Sequence, residues 1–177
     1  EKIRFIFVQN NGGWYVLQDS SVLAVDTWHH VVVTYDGGGA SSSNMNLYIN
    51  GSLDNASQLS SGTITTITST DSLKIGKYTG GHFYAGNIDE VSIFSSELSA
   101  ANVTTIYNSG VPNDISGLSP VGWWRMGEGD TYPTLTDSGS GSNDGTMTNM
   151  VAGDITGAET TGIMTNMVAG DIVADVP

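Results

Sequence analysis

Cysteine is absent from the chain. Disulfides and thiolate chemistry are therefore excluded, and the redox compartment is left open. Basic residues are scarce: 5 Lys and Arg stand against 18 Asp and Glu, a formal net charge of −13. Binding along a phosphate backbone needs clustered Lys and Arg, so nucleic acid is not an expected partner, and an anionic membrane surface is disfavoured for the same reason. No apolar run approaches the roughly 20 residues needed to cross a bilayer, so membrane insertion is not expected either. Long Glu/Lys/Leu/Ala helical patterns are missing too. The chain opens on EKIRFIFV, with no initiator Met and no signal-peptide pattern, and reads as entering inside a domain.

What is present is turn chemistry. The 177 residues include 23 Gly, with abundant Ser and Thr and scattered Asn. That profile favours short strands joined by turns. The acidity suits solubility in salt and the binding of divalent cations.

Residues 3–18 read as two strands around an Asn-Asn-Gly-Gly turn, where Gly12 and Gly13 tolerate positive φ. HHVVVTYDGGG is a strand over about 29–35 that stops at a glycine turn. MNLYINGSLD places Met45, Leu47 and Ile49 on one face and Asn46, Tyr48 and Asn50 on the other, then turns at Asn50-Gly51. GTITTIT and LKIGKY are further short strands, and FYAGNIDEVSIFSS is the longest strand pattern. One helix is expected after Ser99, with Val103, Ile106 and Tyr107 at helical spacing and Gly110 and Pro112 at its end. Residues 113–120 read as a linker. Residues 121–177 read as an extended tail with a VGWWRMGEG strand and a duplicated unit, GTMTNMVAGDI at 145–155 and GIMTNMVAGDI at 162–172. Its low apolar content predicts that the tail lies against another surface.

The ordered set Trp28-His29-His30-Val31, Tyr35-Asp36-Gly37, Leu47-Tyr48-Ile49-Asn50-Gly51 and Gly86-Asn87-Ile88-Asp89-Glu90-Val91, followed by the short helix, resembles the laminin-G-like, concanavalin-A-like jelly roll over residues 1–112. The resemblance implies an all-β, antiparallel two-sheet sandwich that lacks its first strands. WWRMGEG and its downstream Gly/Ser stretch resemble the opening of such a domain. They fit either a stub of a second repeat or a strand that completes a sandwich, its own or a neighbour's. The overall style of the chain also resembles laminin-G-like proteins of marine phage particles.

Asp89 shares a strand side with Val91 and Ile93, which leaves three readings: a catalytic acid, a metal ligand or a structural hydrogen-bond acceptor. Laminarinase-type relatives of the clan carry Glu-x-Asp-x-x-Glu. Aligning Asp89 with the central Asp puts Asn87 and Ser92 at the two Glu positions, so the facing pair is missing and no enzymatic activity is expected. Glu90, as Asp89's neighbour on a strand, is expected on the opposite face. The resemblance implies a structural Ca²⁺ held by Asp89 with backbone carbonyls. His29 and His30 lack further ligands at zinc spacing, and one of them is expected packed, the other exposed. Candidate sugar-stacking residues are Trp14, Tyr48, Tyr78, His82 and Tyr84, with Tyr48 expected to be accessible. Trp123 and Trp124 are expected to anchor the tail in a core or interface. Sequons stand at Asn50, Asn55 and Asn102.

The expected function is a non-catalytic structural or adhesion module of an extracellular assembly. The resemblance points to a phage virion surface component, a capsid decoration or fibre, that contacts copies of itself or other virion proteins and cell-surface glycans. The alternative is a secreted carbohydrate-binding module of a bacterial polysaccharide-degrading protein.

Overall fold

The computed structural model describes residues 2–8, 14–18, 21–38, 44–55, 57–61, 71–78, 81–158, 161–164 and 172–174. They form two compact units, Glu1–Ser69 with Ser96–Asn113, and Thr70–Ser95 with Asp114–Pro177. Every strand pairing is antiparallel. Among the described residues there is one α-helix, so the class is the all-β one expected.

The first unit begins with β1 (Arg4–Val8), β2 (Trp14–Gln18), β3 (Val31–Tyr35), β4 (Met45–Ile49), β5 (Ser52–Leu53) and β6 (Ser57–Ser61). Strands β1, β2 and β6 make one sheet; β3, β4 and β5 make another. The expected β1–β2 hairpin is present, in a register that sets Arg4 opposite Gln18 and Val8 opposite Trp14. The turn between them, 9–13, and the expected strand over GTITTIT lie outside the described residues. Met45 and Leu47 of β4 are fully buried, and Ile3, Phe5, Val33, Tyr35 and Ile49 pack on them. Residues from both sheets meet there, the face-to-face packing of a sandwich.

Between β4 and β5, Asn50 and Gly51 have φ of +51° and +75°. Asn-Gly is the pair that tolerates two positive φ values in a tight hairpin. Asn50 Oδ1 also accepts the His30 N–H at 2.9 Å. Tyr48 is a correction: it is only 7% exposed. Strand β4 is central, so Tyr48 is flanked by Val32 and Leu53 on either side. Alternation predicts which way a side chain points, not whether that face is covered.

Helix α1 (Ala100–Tyr107) begins where expected: Ser99 Oγ accepts the Asn102 N–H at 3.1 Å. It closes earlier than Gly110, because Asn108 takes the left-handed conformation and donates its N–H to Thr104 O.

The second unit holds β7 (Leu73–Ile75), β8 (Lys77–Tyr78), β9 (His82–Phe83) and β10 (Val91–Ile93), then β11 (Gly122–Trp124), β12 (Thr134–Leu135), β13 (Gly145–Met147), β14 (Ile155–Ala158), β15 (Thr161–Met164) and β16 (Ile172–Ala174). The long strand pattern of 83–96 is a second correction. It splits into the end of β9 at Phe83 and β10 at Val91–Ile93, and Glu90, at φ +52°, breaks the pleat just before β10.

The surface the tail needed is supplied by the same chain. β11 pairs with β10, setting Trp124 opposite Val91, and β16 joins β13 to β7. The core is Ile75, Trp124, Met126, Leu135, Met147 and Met150, with Leu73, Ile88, Val91, Ile93 and Ile155 packed against it. Burying side chains of this size stabilises by about 1.5–3 kcal/mol each. Adjacent residues Trp123 and Trp124 point to opposite faces, yet both are buried, at 5% and 0% exposure.

Candidate functional site

Six of the expected site residues, Tyr78, His82, Tyr84, Asp89, Trp123 and Trp124, lie in the second unit, and the first three of these come together. Gly76 at φ +78° separates β7 from β8, and the short β8–β9 pair sets Tyr78 opposite His82 and Lys77 opposite Phe83. The Tyr84 N–H donates to Gly76 O at 2.8 Å, which holds the chain after β9 against the start of β8. Tyr78, His82 and Tyr84 therefore share one groove with Gly76, Lys77, Phe83 and Ile88, of about 420 Å³.

The aromatic groups of this groove stay exposed: Tyr78 66%, Tyr84 52% and Phe83 41%. Large apolar rings left in water together are the informative departure from ordinary burial. Lys77 Nζ stands 5.4 Å from the Phe83 ring centroid, a cation–π distance. A Cβ on Gly86 would come within 2.8 Å of the Tyr84 ring, so the glycine lets that ring lie against the backbone. Sequence reasoning found the two tyrosines and the histidine but missed Phe83 and Lys77. Their signal was present: two dipeptides, Lys-Tyr and His-Phe, around a Gly-Gly.

The other candidates fall elsewhere. Trp14 lies in β2 of the first unit, and its side chain is outside the described residues. Tyr48 is buried and cannot stack on a ligand. The first unit has its own groove, about 650 Å³, lined by polar groups that include Asn50, Thr105, Tyr107 and Asn113. Asn113 Oδ1 is buried there without a hydrogen-bond partner. His29 and His30 are both partly buried; the His30 ring sits 5.7 Å from that of Tyr107. Burial lowers the His30 pKa below its ordinary value.

Asp89 sits in an acidic knot. Its Oδ1 accepts the Glu90 N–H at 3.0 Å. Burial, then the Glu90 charge, raise its carboxyl to about 7. Glu90 has a left-handed backbone, φ +52°, and its side chain reaches the Trp123 side of β11. Its carboxylate accepts Trp123 Nε1 at 2.6 Å and Arg125 Nε at 3.2 Å. Arg125 also pairs with Glu128 and lies 5.0 Å from the Trp123 ring centroid. Of the three readings of Asp89, the observed contact is that of a hydrogen-bond acceptor.

The resemblance implies calcium held by Asp89 with backbone carbonyls; the described side chains alone do not supply its shell. Calcium takes six to eight oxygens. Glu90 spends both of its oxygens on Trp123 and Arg125, and among the described residues no group of three or more His, Asp or Glu could hold a metal ion. The cation already at this cluster is a guanidinium.

Asp137 was missed altogether. It is 8% exposed, and its two oxygens accept N–H groups of Trp123 (2.7 Å), Gly139 (2.7 Å) and Asn143 (2.8 Å). It closes the Ser/Gly-rich loop that follows β12 onto β11.

A family model described as the concanavalin A-like lectin/glucanases superfamily, of laminin G type, matches residues 1–104. The chain belongs to this superfamily. Comparison with curated proteins and with solved structures gave no match. Membership in the concanavalin A-like superfamily suggests a carbohydrate-binding or adhesion-type module, although the superfamily also includes glucanases. The β8–β9 groove falls inside the matched segment. The core residues from Trp124 to Met150 fall beyond it.

Proposed function

We propose that the chain is a non-catalytic glycan-contacting module, and that the groove of Tyr78, His82, Phe83 and Tyr84 is its contact surface. The carrying observation is the set of three aromatic side chains left 41–66% exposed around one short hairpin. Sugar rings present C–H faces that stack on aromatic rings, while their hydroxyls bond to adjacent polar groups. Tyr hydroxyls, the His82 imidazole and the Lys77 ammonium supply those polar groups. The non-catalytic reading is supported by the groove's lining, which contains no carboxylate, and by Asn87 and Ser92 at the positions where glucanases of the clan carry glutamates.

We further place the module on the surface of an extracellular assembly, such as a phage particle. The acidic, cysteine-free composition and the resemblance drawn from the sequence support that placement. A secreted carbohydrate-binding module is the competing location.

A neutral-glycan array followed by calorimetry tests the contact surface. The parent chain is expected to bind at least one glycan class. Tyr78→Ala with Tyr84→Ala is expected to weaken it about tenfold or more, as lost stacking contacts would. Binding that survives the double variant, or no binding across the array, overturns the assignment. Tight binding by a monomer supports the secreted location; a symmetric oligomer with weak binding supports the assembly.

A further inference from the structure

The duplicated unit is used in a way that its sequence alone does not reveal. Met147, third residue of the first copy, pairs with Ile172, eleventh residue of the second. Ile155, eleventh of the first copy, pairs with Met164, third of the second. The start of each copy therefore lies against the end of the other, and the arrangement is unchanged if the two copies trade places. β13 with β16 and β14 with β15 follow the same antiparallel register, in two separate sheets. This is the self-complementarity of a two-fold interface, in which one patch meets its own image.

Because the copies are nearly the same, a copy from a second chain offers the same backbone partners as the copy within the chain. The connection decides between the two arrangements. Ala158 pairs directly with Thr161, so only Glu159 and Thr160 join β14 to β15. Two-residue hairpin connections favour Asn-Gly, Asp-Gly or a leading Gly, because they call for positive φ. Glu-Thr satisfies none of these. A two-residue connection without turn residues, between strands that can pair equally well elsewhere, is the setting for strand exchange.

We propose that the duplicated unit is a self-association device: two copies of this chain exchange the β15–β16 arm, each arm completing the other chain's β13 and β14. The inference is independent of the glycan-binding reading. Exchange is concentration-dependent, since closing the hairpin within one chain has the advantage of high effective concentration.

Sedimentation of the full chain over a range of concentrations, beside Glu159→Asn with Thr160→Gly, is the test. The parent is expected to show a monomer–dimer equilibrium. The Asn-Gly variant, with a hinge suited to a closed hairpin, is expected to raise the dissociation constant at least tenfold. The absence of native cysteine allows a second measurement. A chain carrying Thr156→Cys is unfolded and refolded with one carrying Ile163→Cys, positions that pair across β14 and β15. A disulfide-linked heterodimer is expected. A parent that stays monomeric at every soluble concentration overturns the proposal. So does a dimer that ignores the Asn-Gly change, or one that yields no mixed disulfide.

Discussion

The two units of this chain solve one problem with different chemistry. Both must hold short strands whose loops leave backbone N–H groups without ladder partners. In the first unit, around β4, side-chain amides do much of this: Asn50 takes the His30 N–H and Asn55 takes the Leu47 N–H. In the second, carboxylates do it. Asp130 takes the N–H groups of Gly127 and Thr136, Asp137 takes three, Asp144 takes that of Asp137, and Asp154 takes that of Val151. Among the described residues the second unit also has the larger buried cluster, six residues against two. The lesson concerns net charge. A segment dense in Asp, Gly and Ser reads as an extended tail, but several of its charges are spent on its own backbone, and one of them, Asp137, is buried.

The largest expected effect sharpens the contrast between cores. Trp124→Ala should cost about 3–5 kcal/mol in urea unfolding, since it empties the centre of the larger cluster and unpairs Asn143 O. Leu47→Ala, in the smaller cluster, should fall near the low end for such changes, about 2–3 kcal/mol. A reversed ranking would break the comparison.

Next comes the carboxylate against the amide. Asp137→Asn keeps the shape but turns an NH₂ group toward backbone donors, and should cost about 2–3 kcal/mol. Asn55→Ala removes the acceptor of the Leu47 N–H and should cost about 1 kcal/mol. Equal costs would mean that the two kinds of loop closure are interchangeable.

The smallest effect is a difference of sign with pH. The Asp89 carboxyl is raised from 3.8 to about 7. Its contribution to stability is therefore complete below the unfolded value near 3.8 and is lost as pH rises through about 7. The His30 pKa is lowered from 6.5, so its contribution is present above that value and lost as pH falls through the folded one. Acidification from neutral toward pH about 5 should thus favour the second unit through Asp89 and disfavour the first through His30. Hydrogen exchange read separately in the two units would measure it. Asp89→Asn should flatten the response of the second unit alone. A parent-minus-variant difference that appears in the first unit would contradict the assignment.

Much of the first unit was readable because its signals are local. The β1–β2 strands, the Asn50-Gly51 turn and the Ser99 cap depend on residues a few positions apart, and each formed as expected. The candidate site was readable in part. Tyr78, His82 and Tyr84 sit within seven residues, so one short hairpin suffices to gather them. Tyr48 failed the same reasoning because its exposure depends on strands and loops distant in sequence. The partners of Glu90 were not legible because Trp123 and Arg125 lie more than thirty residues on, and the positive φ at Glu90 leaves no periodic signal.

The sequence by itself determined the all-β class, the superfamily and the hairpins whose turn residues carry their own φ preferences. Tertiary structure alone decided that β11 lies on β10, that Asp137 is interior, and that the two copies of the repeat meet head to tail. The physical reason is range. Turn and cap preferences are energies of neighbouring residues, whereas burial and strand partnership depend on which distant surface arrives to exclude water, and periodicity along the chain does not encode that.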